Sequence, residues 1–215
     1  MQIVFLFYDG MTALDAIGPH EILTRLPGAE VFHVAKEAGP IRTCSELVMI
    51  AEHSLSEVSE ADVLLIPGAG NATSLSNESE ILAWVRKIHE TTTWTTSVCT
   101  GSLILGAAGL LKGKHATSHW AVIDRLSLWG AIPTEERVVT EGKIMTAAGV
   151  SAGLDMGFTL AAKIAGQKVA ETLQLGLEYD PHPPFDSGSA AKADPAIREA
   201  LRSRLLAKFE GLPQK

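Results

Sequence analysis

Basic residues are in deficit, cysteine is scarce, and no apolar run is long enough to span a membrane. The 18 Lys and Arg against 25 Asp and Glu leave a formal net charge of −7 and an isoelectric point near 5.5. Binding a phosphate backbone needs a basic face. None is visible, so nucleic acid is excluded as an expected partner. No stretch approaches the roughly 20 apolar residues of a spanning helix. The start, MQIVFLFYDG, lacks the basic region and small-residue cleavage site of a secretory signal. A cytoplasmic protein with no membrane partner is the expectation. The two cysteines, Cys44 and Cys99, form no CxxC, and the His residues do not cluster in pairs. Nothing in this suggests a disulfide scaffold, and the spacing gives a dedicated metal site little support. A GxxxxGK[ST] loop and a GxGxxG fingerprint are also absent, so no nucleotide-binding motif is present.

What is present suits one α/β domain. Across 215 residues the apolar content is 46%, ample for a sizeable core. Gln2 to Tyr8, Glu30 to Ala35, Asp62 to Ile66 and Thr93 to Val98 read as strands. Their near-continuous apolar or β-rich runs suit burial on both faces of a parallel sheet. Ile41 to Ile50 holds one or two further short strands. Leu14 to Leu26, Glu78 to Glu90, the apolar run after Cys99, Ser151 to Ile164 and Gln167 to Glu178 read as helices. Glu141-Gly142 marks a hairpin between Val138–Thr140 and Lys143–Thr146. Tyr179 to Ser189 (YDPHPPFDSGS) is too rich in Pro and Gly for regular structure. It either straps the last helix to the core or crosses to a partner. Asp194-Pro195 opens a final helix reaching about Phe209, with Asp as N-cap and Pro in the first turn. Residues 1–189 thus read as an α/β domain and 190–215 as a helical tail.

Ligands of parallel α/β sheets bind outside the carboxyl ends of the strands. Tyr8, Pro67 to Gly70 and Cys99 all lie at such ends. Cys99 stands at a strand–helix turn, where unpaired backbone N–H groups and the helix dipole favour the reactive thiolate; a buried structural cysteine is the alternative. The following residue, Thr100, offers a hydroxyl. Asp15, in LDAIGP, is either an ordinary helix-start charge or a desolvated acid that stays protonated beside sulfur. The loop Pro67-Gly68-Ala69-Gly70-Asn71 is either a simple turn or an anion hole made of its N–H groups. His119, in TSHWA, is the nearest base candidate in sequence, and Trp120 beside it favours an apolar ligand. Cys44 reads as a bystander thiol.

TSVCTGSLILGAAGLLKGKHATSHWA resembles the nucleophile-elbow segment of the ThiJ/PfpI superfamily, the class I glutamine amidotransferase-like fold. LDAIGP, LLIPGAGN, AAGVSAGLD and YDPHPPFDSGS extend the likeness toward its isocyanide hydratase group. The resemblance implies a flavodoxin-like sandwich, a homodimer, and no metal or organic cofactor. It also implies a nucleophile at Cys99, an acid at Asp15 touching it, Thr100 beside it, and a wall that includes Val150. The expected substrate is a small isocyanide, hydrated to an N-substituted formamide. Two departures stand out. PGAG puts Ala69 where many members have glycine in the anion hole. Thr100 replaces the His that follows the nucleophile in peptidase-like members, which argues against proteolysis and amidotransfer. A glyoxalase or deglycase-like activity of the same cysteine, or a redox-sensor role, competes with hydration.

Overall fold

The computed structural model describes residues 1–70 and 77–207. Asn71, and the final stretch containing Phe209, lie outside them. In chain order the elements are β1 (Gln2–Leu6), α1 (Ala13–Leu23), β2 (Glu30–Ala35), β3 (Gly39–Arg42), β4 (Val48–Ala51), β5 (His53–Ser54) and β6 (Val63–Ile66). Next come α2 (Ser79–Thr91), β7 (Trp94–Val98), α3 (Gly101–Ala107), β8 (His115–Ala116), a 3₁₀ segment (Ile123–Trp129) and β9 (Ile132–Pro133). The chain continues with β10 (Val138–Glu141), β11 (Ile144–Ala147), α4 (Ala152–Ala165), α5 (Gln167–Gly176) and α6 (Pro195–Leu206).

Seven strands form one sheet in the order β10-β11-β7-β6-β1-β2-β5. Its pairings are parallel except for the edge hairpin β10–β11. The apolar runs explain the centre: every residue of β6, and all of β1 but its first, is buried, as strands covered on both faces must be. Helices flank this sheet, α1 packing on α4 and α4 on α5, with α2 against α3. The fold is a flavodoxin-like α/β sandwich. Glycine lets α1 and α4 approach closely. A Cβ on Gly157 would sit 2.8 Å from Ile22 Cδ1, and one on Gly153 3.3 Å from the Pro19 ring. The pair β3–β4 forms a separate antiparallel ribbon.

The expected elements differ from the observed ones at several boundaries, among them Gln167 to Glu178, where the helix ends at Gly176. β1 stops at Leu6 and not Tyr8, and α1 ends at Leu23. The helix after Cys99 spans only Gly101–Ala107, because Gly109 turns into the left-handed region at φ +80°. The hairpin turns at Gly142-Lys143, one residue later than Glu141-Gly142, with Glu141 paired to Ile144 and Gly142 at φ +60°. Strands β5, β8 and β9 and the 3₁₀ segment carry no expectation from the sequence. The final helix opens as its residues dictate: Asp194 Oδ1 accepts from the N–H groups of Ala196 (2.8 Å) and Ile197 (3.2 Å). No helix among the described residues is long and apolar enough to cross a membrane.

Strand order decides where a site can form. The chain moves outward from β1 to β2 and β5, then returns to β6 on the other side of β1. Neighbouring loops at that reversal part on opposite faces and leave a crevice at the carboxyl ends. The segments that follow β1, β6 and β7 carry Asp15, Gly68 and Cys99 to that crevice.

Candidate active site

Cys99 leaves β7 in the left-handed region, at φ +59°, a conformation costing a non-glycine residue about 1–2 kcal/mol. Four hydrogen bonds hold it there. Its N–H is shared between the carbonyls of Ala147 and Ala148, both at 3.0 Å. Its own carbonyl accepts from the hydroxyls of Ser102 and Ser118, both at 3.1 Å. The residue is 5% exposed. Val150 is also left-handed, at φ +35°, and its amide, with that of Thr100, pulls the Cys99 thiol's pKa down.

Asp15 is fully buried in the first turn of α1, so it is no ordinary solvent-facing helix charge. Its Oδ2 accepts the Gly68 N–H at 2.8 Å. Its Oδ1 has no hydrogen-bond partner, and the nearby Cys99 thiol acts on the carboxyl by lowering its pKa. Burial raises the Asp15 carboxyl to about 7, against the downward pull of the Gly68 amide and the thiol. Burial also pushes the Cys99 thiol up, and the Asp15 charge pushes it further, while the Thr100 and Val150 amides pull it back. This corrects the expectation of a thiolate favoured by its helix. The helix is short, and the loss of water outweighs its two amides. Two negative charges cannot share so dry a space. Above about 7 the pair therefore holds one proton between sulfur and carboxyl, and below it two.

The loop after β6 corrects a second expectation. The Gly68 amide is committed to Asp15. The Ala69 N–H donates to Thr100 Oγ1 at 2.7 Å, and that hydroxyl returns its one proton to Ala69 O at 2.8 Å. Neither amide is free to line an anion hole; together they lock the loop to the elbow. Gly70 follows, half-buried. Glycine at 68 has a steric reason, since a Cβ there would meet Thr100 N at 2.6 Å and Cys99 Cβ at 2.8 Å. The backbone amides that act on the sulfur are those of Thr100 and Val150.

His119 does not reach the sulfur by any hydrogen bond. Its ring lies over Gly149, whose added Cβ would sit 2.8 Å from Cδ2, and its Nδ1 accepts from Ala121 N–H at 3.3 Å. Burial lowers its pKa. It therefore braces the segment carrying Val150, with Trp120 tilted against it at 5.6 Å between ring centroids. Sequence reasoning missed Ser102 and Ser118 as elbow braces. Tyr8, placed at a strand end by the sequence, is buried beside the pair, and its hydroxyl donates to Pro67 O at 2.7 Å, a contact the sequence did not give. Cys44 is exposed, its sulfur 3.9 Å from Thr12 Oγ1. Cavities of about 430 and 460 Å³ open beside Tyr8 and Cys44, and Cys99 lines neither. Among the described residues no group of three or more His, Cys, Asp or Glu could hold a metal ion.

Comparison with known proteins fits this geometry. The profile of the DJ-1/PfpI family matches residues 1–163. The chain is 40% identical over 204 residues to the isonitrile hydratase of Pseudomonas putida, covering 95% of this chain and 90% of that one. It superposes on the crystal structure of a ThiJ/PfpI family protein from Pseudomonas syringae with a TM-score of 0.94 and 41% identity, covering 97% of this chain and 87% of that one. The DJ-1 of Schizosaccharomyces pombe shares the fold at a TM-score of 0.73 and 21% identity, over 84% of this chain and 100% of that one. Sequence, fold and elbow agree: the chain belongs to the DJ-1/PfpI family.

Proposed function

We propose that the protein is an isocyanide hydratase in which Cys99 is the nucleophile. The observation that carries the reading is a buried, left-handed Cys99 beside the fully buried Asp15, in a chain 40% identical to an isonitrile hydratase over nearly its full length. Adding a thiol across an isocyanide carbon consumes one sulfur and one proton, which is what the pair holds.

Sulfur bonds to the terminal carbon of R–N≡C as Asp15 conveys the pair's proton to the same carbon. The product is the thioimidate Cys99–S–CH=N–R, and Asp15 is left as carboxylate. A water then gives one proton to Asp15 while its oxygen adds to the carbon, and that proton passes to nitrogen. The resulting S–CH(OH)–NH–R collapses, the C–S bond breaks, and the hydroxyl proton returns to the pair. R–NH–CHO leaves. Covalent catalysis divides one difficult hydration into two steps, and the Thr100 and Val150 amides steady the charge on sulfur as it departs. A sulfur on a residue only 5% exposed suits a thin, nearly linear reactant. No organic cofactor enters this scheme.

The test is steady-state conversion of an aromatic isocyanide to its formamide by the wild type and by Cys99→Ala. The wild type turns over and the variant does not; near wild-type turnover by Cys99→Ala sinks the proposal. A side-by-side assay with methylglyoxal separates hydration from a deglycase-like activity.

The same reading includes a homodimer. It is supported by exposed Leu47, Val48 and Ile50 on the β3–β4 ribbon. That ribbon's turn is tied to α1's approach by the Cys44 N–H bond to Met11 O, at 2.9 Å, near exposed Leu14.

A further inference from the structure

Tyr8 has no part in the steps above, yet its side-chain hydroxyl links to them. Its hydroxyl is buried and donates to Pro67 O at 2.7 Å. Pro67 C=O and Gly68 N–H are the two ends of one peptide group, and the Gly68 end donates to Asp15 Oδ2 at 2.8 Å. A hydrogen bond accepted by a carbonyl polarises its peptide and makes the N–H a stronger donor, the more so in a dry interior. The rest of the loop has little freedom. Gly68 O accepts from Thr12 N–H at 2.8 Å, and both polar groups of Ala69 are held by Thr100.

We propose that Tyr8 is a positioning residue for the hydration reaction: through the Pro67–Gly68 peptide it strengthens and aims the one amide that holds Asp15 against Cys99. The inference rests on reading Cys99 and Asp15 as the reacting pair. The ionisable groups around Asp15 are Cys99, from the end of β7, and Tyr8, from the end of β1. Cys44, from the ribbon turn, acts on Tyr8. Helix α4, packed on α1 through Gly153 and Pro19, brings none of the described ionisable groups to bear on Asp15. Burial and the Asp15 charge both raise the Tyr8 phenol, so Tyr8 keeps its proton and remains a donor throughout the working range.

The relay has a sign. Without the phenol, Pro67 O is buried without a partner, the Gly68 amide weakens, and Asp15 holds its proton to higher pH. The experiment follows the pH dependence of Cys99 alkylation by iodoacetamide, read by peptide mass spectrometry, in a Cys44→Ser background. Isocyanide turnover is measured in parallel. In Tyr8→Phe the alkylation midpoint moves up by about half a pH unit or more, the scale of one lost hydrogen bond, and the acid limb of turnover moves with it. The chain has two tyrosines, so in a Tyr179→Phe background global 3-fluorotyrosine alters Tyr8 alone. This more acidic donor moves the midpoint down. An unchanged midpoint in folded Tyr8→Phe, or shifts of one sign in both proteins, overturns the proposal. If Tyr8→Phe does not fold, the downward shift with fluorotyrosine supports the proposal alone, and its absence overturns it. Shifted alkylation in a protein that hydrates no isocyanide leaves Tyr8 its role and removes the hydratase reading.

Discussion

One proton shared by Cys99 and Asp15 governs behaviour at the scale of single residues. Below about 7 the carboxyl gains its own proton, the pair becomes doubly protonated, and sulfur loses its base. Turnover therefore rises as pH climbs through about 7 and holds on the alkaline side, which a pH–rate profile checks. Asp15→Asn cannot convey a proton and cuts turnover by about 100-fold or more. The same substitution acts oppositely on stability. The folded-state pKa of Asp15 is raised from 3.8 to about 7, so the native state binds its proton more tightly than the unfolded chain does. The penalty for burying the charge is absent below about 4, grows between 4 and 7, and is complete above 7. Its ceiling is about 4 kcal/mol. Asp15→Asn is accordingly more stable than wild type in urea at pH 8, with a gain that fades toward pH 4. Cys99 was legible because a strand–turn–helix pattern surrounds it. The burial of Asp15 was not, since an acid in a helix's first turn looks the same in sequence whether it faces water or sulfur. The roles of Tyr8, Ser102 and Ser118 depend on contacts across the fold, which local pattern does not encode.

At the scale of elements the elbow is a strained turn wedged between two strand ends. Replacing Cys99 by Gly removes the left-handed cost that Ala retains, so Cys99→Gly should exceed Cys99→Ala in stability by about 1 kcal/mol, measured by urea unfolding. The reverse order contradicts the strain. Gly101 opens α3, with an added Cβ 2.2 Å from Ile66 O and 2.9 Å from Pro67 O. Neither carbonyl is a flexible side-chain end, so Gly101→Ala costs about 3 kcal/mol, and the same titration reads it. The buried strands were legible as apolar runs, and α6 from its Asp-Pro start. Strands of two residues, such as β5, β8 and β9, are too short to show a period. The length of α3 was misjudged because its apolar run continues past the residue whose φ ends the helix.

At the scale of the whole molecule the reading adds assembly. The chain's mass is 22.9 kDa, and light scattering should return about twice that. Val48→Glu with Ile50→Glu places charge on the apolar ribbon and should yield the monomer; a wild-type monomer contradicts the dimer. The alternation of strands and helices made a parallel sheet legible, and with it the end of the sheet where a site must lie. That Tyr8, Pro67 to Gly70 and Cys99 lie at that end was legible; the order of their strands was not, because it is set by long-range pairing. Only with β1 between β2 and β6 do Asp15 and Cys99 fall together.

The central claim is a covalent bond between Cys99 and the substrate carbon, and acid-quenched mass spectrometry during turnover tests it most directly. The account predicts a transient species heavier than the free protein by the mass of the isocyanide, mapped to the peptide containing Cys99, together with formamide release. Turnover of wild-type protein with no such species at any quench time, or with the added mass on Cys44, would contradict it.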